Sequence, residues 1–325
     1  MIQIDAQEES WPLKEPFRIA RGTSTEVRAV VVTASDGHHI GRGEAVPIKR
    51  YNQTVAGVLA QIGSLTIKAE FNRRDVQALL PPGPARNAVD CALWDLEAKI
   101  ARKRIWKLAK IPINGTVSTA LTLSLDTPEA MATSAAANPN APILKLKLGG
   151  DQLDVRRVAA VRKVAPRARL LIDANESWST RHYQEVVPAL KQLGVELVEQ
   201  PFPAGSDEVL ESLPRPIPVC ADESCHISLD LPHLTHRYDI LNIKLDKTGG
   251  LTEALVLASR ARQAGFKLLV GCMVCTSLAI APARVLASLT DYADLDGPLL
   301  LARDRENGLA YRDGTINLPS QDFWG

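Results

Sequence analysis

Along the second half of this 325-residue chain, charged side chains recur at the ends of short apolar runs. Lys145 and Lys147 alternate with leucines in Ile143-Leu-Lys-Leu-Lys-Leu-Gly149, and Asp173 closes Leu170-Leu-Ile-Asp. Glu199 ends Val195-Glu-Leu-Val-Glu, and Asp222 follows Ile217-Pro-Val-Cys-Ala. Lys244 closes Ile240-Leu-Asn-Ile-Lys, and Asp294 and Asp296 stand in Ala293-Asp-Leu-Asp-Gly297. Carboxylates converging on adjacent strands repel one another, and a divalent cation relieves the repulsion. All-oxygen ligands favour magnesium or manganese over zinc, which makes Asp173, Glu199 and Asp222 the candidate metal set. A purely structural charge network would need six ionisable groups at matched strand ends for no chemical return.

The spacing, roughly one charge every 25 residues, is about the length of a strand, a helix and two short loops. It predicts a β/α barrel, with strands near 118–124, 142–148, 169–173, 195–199, 217–221, 239–245, 267–271 and 293–295. Amphipathic helices are expected between them, at Asp154–Val164, His182–Leu193 and Thr252–Ala264 among others. A doubly wound sheet would show a Gly-rich turn after its first strand, and Ser118 to Asp126 has none. Strand alternation turns Lys145 and Lys147 inward and the leucines outward. Strands two and six of eight lie opposite each other, so Lys147 and Lys244 face across the lumen with the carboxylates on the arc between. A substrate carboxylate held by the metal would put its α-carbon between two ammonium groups. One lysine removes the α-proton, the other returns one to the opposite face, and a stereocentre is inverted by way of an enediolate. A lysine serving as base at neutral pH needs its pKa lowered from about 10.4, and for Lys147 the nearby charges of Lys145 and the metal would do this. Lys145 can bind the carboxylate or enediolate oxygen.

Residues 1 to 48 read as strands, with Ala29-Val-Val-Val-Thr33 a β-branched run and Asp36-Gly37 a hairpin-type turn. Helical patterns follow at Val55–Ile62, Arg74–Leu80 and, after Pro81-Pro-Gly-Pro84, Ala85–Leu108. The expected division is an α+β capping domain over 1–112, a barrel over 113–300, and a C-terminal segment, 301–325, packing back on the cap. Hydrophobic content of 46%, charged content of 23% and a net charge of +1 are ordinary for a globular protein. They argue against nucleic acid or an anionic membrane as partner. With no apolar run of about 18 residues and no signal-peptide hydrophobic region, the expected location is the cytoplasm. Cys272 and Cys275 form a CxxC with no second metal-binding pair, so they read as buried or site-lining thiols.

KxK at Lys145 and Lys147, Asp173 in Asp-Ala-Asn-Glu, Glu199 in Glu-Gln-Pro, Asp222 in Ala-Asp-Glu-Ser and Lys244 in Asn-Ile-Lys-Leu together resemble the enolase superfamily. The resemblance is to its muconate-lactonizing-enzyme-like subgroup and covers essentially the whole chain. Ala85 to Lys99 looks like that family's signature helix. It implies a modified (β/α)7β barrel under an N-terminal cap, with Mg2+ held by Asp173, Glu199 and Asp222. Asp294-Leu-Asp296 resembles the DxD of the dipeptide epimerases in this family, which holds the dipeptide's free ammonium group. The implied reaction is epimerisation of a small dipeptide, L-Ala-D/L-Glu first, in recycling of cell-wall peptide. In those enzymes an arginine on the cap loop pairs with the glutamate side chain. Arg21 matches best, with Arg18 the competitor.

Thr122 and Cys272 are expected to line the substrate pocket. A succinylbenzoate synthase or an N-acylamino acid racemase on the same scaffold is the alternative reaction, and neither substrate needs an ammonium clamp. A noncatalytic metal- or ligand-binding barrel would not need a lysine on each face. His226 is read as hydrogen-bonded packing, Asp246 as orienting a lysine, Glu223 as pointing away from the lumen, and Asp90 and Trp94 as domain packing. A homo-oligomer is consistent with the family, though no interface is legible.

Overall fold

The computed structural model describes residues 1–113 and 115–325. A long antiparallel hairpin, Gln3–Ile19 with Gly22–Ser35, begins the cap, and Ile40–Ala45 adds a third strand beside the second. Helices Val55–Gly63, Arg73–Leu79 and Pro84–Ala101 cover this sheet. The last of them starts on Pro84, whose missing N–H costs nothing at a helix N-terminus. It is buried along most of its length because it lies between the cap sheet and the barrel. Gly41 and Gly43 allow the close approach: a Cβ at either would stand 2.2 Å from the carbonyl oxygen of Ala92 or Ala88. The helix expected over Ala85–Leu108 is two. Arg102 takes a left-handed conformation (φ 49°) that ends the first, and Ile105–Leu108 forms a separate turn.

Eight parallel strands form one sheet in strict sequence order. They are Leu121–Leu123, Ile143–Lys147, Arg169–Asp173, Val195–Glu199, Val219–Ala221, Ile240–Ile243, Lys267–Gly271 and Tyr292–Asp294. Backbone contact resumes between first and last, where Ala120 N–H donates to Ala293 O at 2.8 Å, so the sheet closes into a barrel. The expected strand at 118–124 is shorter. Thr116–Ser118 belongs instead to a small sheet with Tyr311–Arg312 and Thr315–Asn317 from the tail. The helix expected at Asp154–Val164 is present with those bounds; those expected at His182–Leu193 and Thr252–Ala264 run Thr180–Gln192 and Leu251–Gln263. The fourth crossover carries only a 3-10 turn, Glu208–Glu211, in place of a helix.

Asp90 and Trp94 dock the cap on the barrel. Asp90 accepts from Thr252 N–H at 3.0 Å and its hydroxyl at 2.6 Å, and Trp94 Nε1 donates to the same hydroxyl at 3.0 Å. At the chain's end, Trp324 is fully buried and donates to Arg42 O, while Gly325 N–H donates to Asp95. Among the described residues no helix is long and apolar enough to cross a membrane.

Candidate active site

The barrel's inner face is layered in steps of two residues. Ala120, Ile143, Leu171, Leu197, Cys220, Ile240 and Leu269, with Tyr292 against them, make an apolar floor to which each strand or its lead-in contributes one residue. Two positions further on, the same face carries Thr122, Lys145, Asp173, Glu199, Asp222, Asn242, Gly271 and Asp294. Two more add Lys147, Lys244 and Asp296. Strand register sets Lys147 beside Asp173 and Asp173 beside Glu199. The polar ring therefore sits at the C-terminal ends of the strands, where barrel active sites are built.

These groups neutralise one another in pairs. Lys147 Nζ donates to Asp173 Oδ2 at 2.5 Å, and Lys244 Nζ to Asp222 Oδ2 at 2.7 Å. Lys145, 1% exposed, lies 2.6 Å from Asp294 Oδ2, 2.7 Å from Glu199 Oε2 and 3.4 Å from Asp173 Oδ2. Burial works against the charge on Lys145, yet Asp294, Glu199 and Asp173 hold its ammonium well above the usual lysine range. Lys244 is likewise raised: burial opposes its charge, and Asp222 and Glu199 outweigh burial. For Asp173 burial is again the largest influence, but Lys147 and Lys145 keep the carboxyl below its ordinary value. Asp222 is held well below it by Lys244 and Lys247 against the same opposition. Glu199 goes the other way, pushed up to about 7 by burial and then by Asp173.

Among the described residues no three acidic, histidine or cysteine side chains are drawn together as a finished metal cage. The donor chemistry nevertheless fits a hard cation. Lys145, Lys147, Lys244 and Lys247 face Asp173, Glu199, Asp222, Glu223, Asp294 and Asp296, so buried acids outnumber lysines. Glu223 Oε2 and Asp294 Oδ1 accept no hydrogen bond, and Glu199 Oε2 has only the Lys145 ammonium, at 2.7 Å. An all-oxygen site with surplus negative charge suits magnesium.

Of the residues expected to contact substrate, Asp294 and Asp296 differ in their surroundings. Asp294 is committed to Lys145, whereas Asp296 Oδ2 accepts the Thr122 N–H at 2.6 Å. Asp296 is pushed up to about 7 by burial and by Asp294. Cys272, half-buried, follows Gly271 directly at the mouth, and all five cysteines are free thiols. Arg21 sits at the tip of the cap hairpin, and its Nη1 lies 2.7 Å from Glu223 Oε1 and 3.1 Å from Glu176 Oε2. Arg18 points elsewhere, into an exposed ion pair with Asp126 at 2.5 Å.

Two expectations are corrected. Glu223 does not point away: it is buried, meets Arg21, and is raised by burial and then by Asp222 and Asp173. Asp246 orients no lysine. The strand ends at Ile243 and a short helix, Leu245–Thr248, swings Asp246 to the cap, where it accepts from Val46 N–H at 3.0 Å and Asn87 Nδ2 at 2.8 Å. His226 is packing, as expected, bonded to Glu223 O and edge-on to Tyr51. Lys247 and Asn242 escaped the sequence reading. Lys247 Nζ donates to Asp222 Oδ1 at 2.6 Å and to the Asp222 carbonyl, and Asn242 Nδ2 donates to Glu199 Oε1 at 2.8 Å. Asn242 was findable, two residues before Lys244 on the same strand face. A Cβ on Gly271 would lie 2.5 Å from Asn242 Oδ1, so the glycine keeps room for that amide.

Residues 1–109 match the model of the mandelate racemase / muconate lactonizing enzyme N-terminal domain, and residues 129–322 that of enolase C-terminal domain-like proteins. The chain belongs to the enolase superfamily. Among curated members of the superfamily, the L-Ala-D/L-Glu epimerase of Escherichia coli (strain K12) is 46% identical over 322 residues, 98% of this chain and 100% of that one. An N-acetyl-D-glutamate racemase from Pseudoalteromonas sp. is 45% identical over 301 residues, 91% and 95% of the two chains. A solved superfamily member from Agrobacterium tumefaciens, with bound sodium and L-Ala-L-Glu, superposes with a TM-score of 0.97 at 44% identity over 100% of both chains. The dipeptide epimerase of Enterococcus faecalis V583, complexed with Mg and L-Leu-L-Tyr, gives 0.90 at 29% identity over 97% and 96%.

Proposed function

We propose that this protein is a magnesium-dependent dipeptide epimerase, an isomerase that inverts the α-carbon of the C-terminal residue of L-Ala-D/L-Glu. The observation that carries the reading is the pair Lys147 and Lys244. Lys147 ends the second of eight barrel strands and Lys244 directly follows the sixth, and each is bonded to a different carboxylate, Asp173 or Asp222. A site that only binds has no use for a proton donor on each side of the lumen. Kinship with the Escherichia coli epimerase over the whole chain supports the same reading.

Asp173, Glu199 and Asp222 would hold Mg2+. Bound there, the cation would compete with the ammonium groups for these carboxylates and stabilise negative charge developing on the substrate carboxylate. Lys147 and Lys244 exchange the α-proton, one accepting from one face while the other donates to the opposite face. Lys145, fixed by Asp294 and Glu199, presents positive charge toward the same carboxylate. Asp296 meets the dipeptide's ammonium group, and Arg21 meets the glutamate side chain. The buried floor beneath excludes water from the reacting carbon.

Incubation with L-Ala-L-Glu and Mg2+ in heavy water tests this by NMR. Deuterium should replace the glutamate α-proton as the D-epimer accumulates, and a folded, metal-loaded protein that incorporates none would sink the proposal. Racemisation of N-acetylglutamate is the second reading, favoured by the Pseudoalteromonas relative. Running both substrates side by side separates them.

A further inference from the structure

Glu176 lies three residues past Asp173, outside the polar ring, and gathers more donors than a surface glutamate has reason to. Arg50 grips it with a two-pronged fork, Nε to Oε2 and Nη2 to Oε1, both at 2.7 Å. The Ala204 N–H donates to Oε1 at 2.8 Å and Arg21 Nη1 to Oε2 at 3.1 Å. Its side chain is 7% exposed. Asn175 and Glu176 are consecutive non-glycine residues with positive φ, 45° and 68°. That backbone is unfavourable for L-residues and persists where surroundings over-determine it, commonly at functional sites. Here it aims the Asn175 carbonyl and the Glu176 carboxylate at the same nitrogen, since Arg21 Nη1 also donates to Asn175 O at 2.9 Å.

Every contact that Arg21 makes with Asn175, Glu176 and Glu223 is made through its Nη1. Among the described residues its Nε and Nη2 make no hydrogen bond, so one edge of the planar guanidinium is held and the other is open. That open edge matches a carboxylate, which arginine binds through two parallel N–H donors. Arg50 matters to the balance of charge. Its fork compensates Glu176, so of the two carboxylates on Arg21 Nη1 only Glu223, 2.7 Å away, opposes the attraction Arg21 exerts on an incoming anion. Fixing a long, flexible side chain before the ligand arrives also removes part of the entropic cost of binding.

We propose that Glu176, with Glu223, is a positioning residue that fixes Arg21 by Nη1 and leaves the other guanidinium edge open, and thereby sets a preference for an acidic side chain on the epimerised residue. The inference rests on the dipeptide-epimerase reading and on Arg21 meeting the substrate side chain. Glu176 touches no reacting atom. Its effect should therefore appear in KM for acidic substrates and leave kcat nearly intact.

The test compares L-Ala-L-Glu with its neutral isostere L-Ala-L-Gln in wild-type, Glu176→Gln and Arg21→Gln proteins, with thermal melts to verify folding. For Glu176→Gln, the kcat/KM ratio of the acidic to the neutral dipeptide should fall about tenfold, the scale of one charge-assisted hydrogen bond. The fall should lie in KM for L-Ala-L-Glu, with L-Ala-L-Gln unaffected. An equal loss on both dipeptides, or an unchanged ratio, overturns the inference. If Arg21→Gln collapses the ratio and Glu176→Gln does not, the inference alone fails. If Arg21→Gln leaves the ratio unchanged, the assignment of Arg21 fails, and wild type inert on both dipeptides refutes the epimerase reading itself. Should Glu176→Gln not fold, Arg50→Gln opens the same clamp and is judged on the same ratio.

Discussion

Lys244 and Lys247 hold the same carboxylate from two sides: Lys244 Nζ sits 2.7 Å from Asp222 Oδ2 and Lys247 Nζ 2.6 Å from Oδ1. Their tasks differ. Lys244 is the candidate proton carrier, while Lys247 also binds the Asp222 carbonyl and donates to Asn242 O at 3.1 Å, which ties it to the backbone of two strands. Lys247 is the fixed side of the clamp.

Lys247→Met keeps the stem and removes the donors, so Asp222 should lose its orientation. Outer partners of metal ligands typically contribute 10–100-fold to affinity, and magnesium should bind weaker by about that factor. Calorimetric titration of Mg2+ into the folded variant measures it. Unchanged affinity would show that Asp222 is oriented without Lys247, or is no ligand.

Removing either proton carrier should be selective by stereoisomer. Lys147→Ala and Lys244→Ala should each lower epimerisation by roughly 10²–10⁴-fold, the usual contribution of a positioned general acid or base. Each should still wash deuterium into one epimer of L-Ala-Glu, and the two variants should favour opposite epimers. Exchange from both epimers in either variant would contradict one lysine per face.

Where a strand persists, the site was legible because alternation is strict. Starting from Ile143, Leu171, Leu197, Cys220 and Ile240 on the floor, steps of two reach Lys145, Asp173, Glu199, Asp222 and Lys244 without knowledge of any contact. The reading broke where the chain leaves the strand. Past Ile243 the period is helical, so Asp246 turned toward the cap and Lys247 came back over Asp222. Glu223 and Glu176 lie in loops beyond strand ends, where no period operates and direction is set by contacts with Arg21 and Arg50 from a part of the chain far away in sequence. The single-helix reading of Ala85–Leu108 failed for a local reason: apolar spacing continues through Arg102, but its backbone does not.

Asp296 offers the sharpest substrate test. One oxygen is taken by the Thr122 N–H at 2.6 Å, and the group is 3% exposed, so an ammonium arriving there would meet a desolvated carboxylate. Truncating one partner of a buried charge pair costs about 2–5 kcal/mol. Asp296→Asn should therefore lower kcat/KM for L-Ala-L-Glu by at least about thirtyfold. N-acetylglutamate, which carries no ammonium group, should be turned over no more slowly than by wild type. Equal losses on both substrates would remove the basis for preferring the dipeptide.

Asp246 stands between barrel and cap, so its proton can be linked to their attachment. It is pushed up to about 7, chiefly by burial, against the lowering effect of its hydrogen bonds from Asn87 and Val46. The folded value lies above the 3.8 of a free aspartate side chain, so the fold binds this proton more tightly than the unfolded chain. The stability linked to it is complete below pH 3.8 and is lost progressively as pH rises through about 7. Asp246→Asn stays neutral at every pH and its carbonyl oxygen can accept the same two hydrogen bonds. Urea midpoints measured from pH 4 to pH 8 should thus fall more steeply in wild type than in the variant, the gap widening up to about pH 7 and holding beyond it, with the variant the more stable there. Parallel curves would mean that the Asp246 proton is not linked to folding. A variant less stable than wild type at pH 8 would mean that the charged carboxylate strengthens the cap–barrel contact.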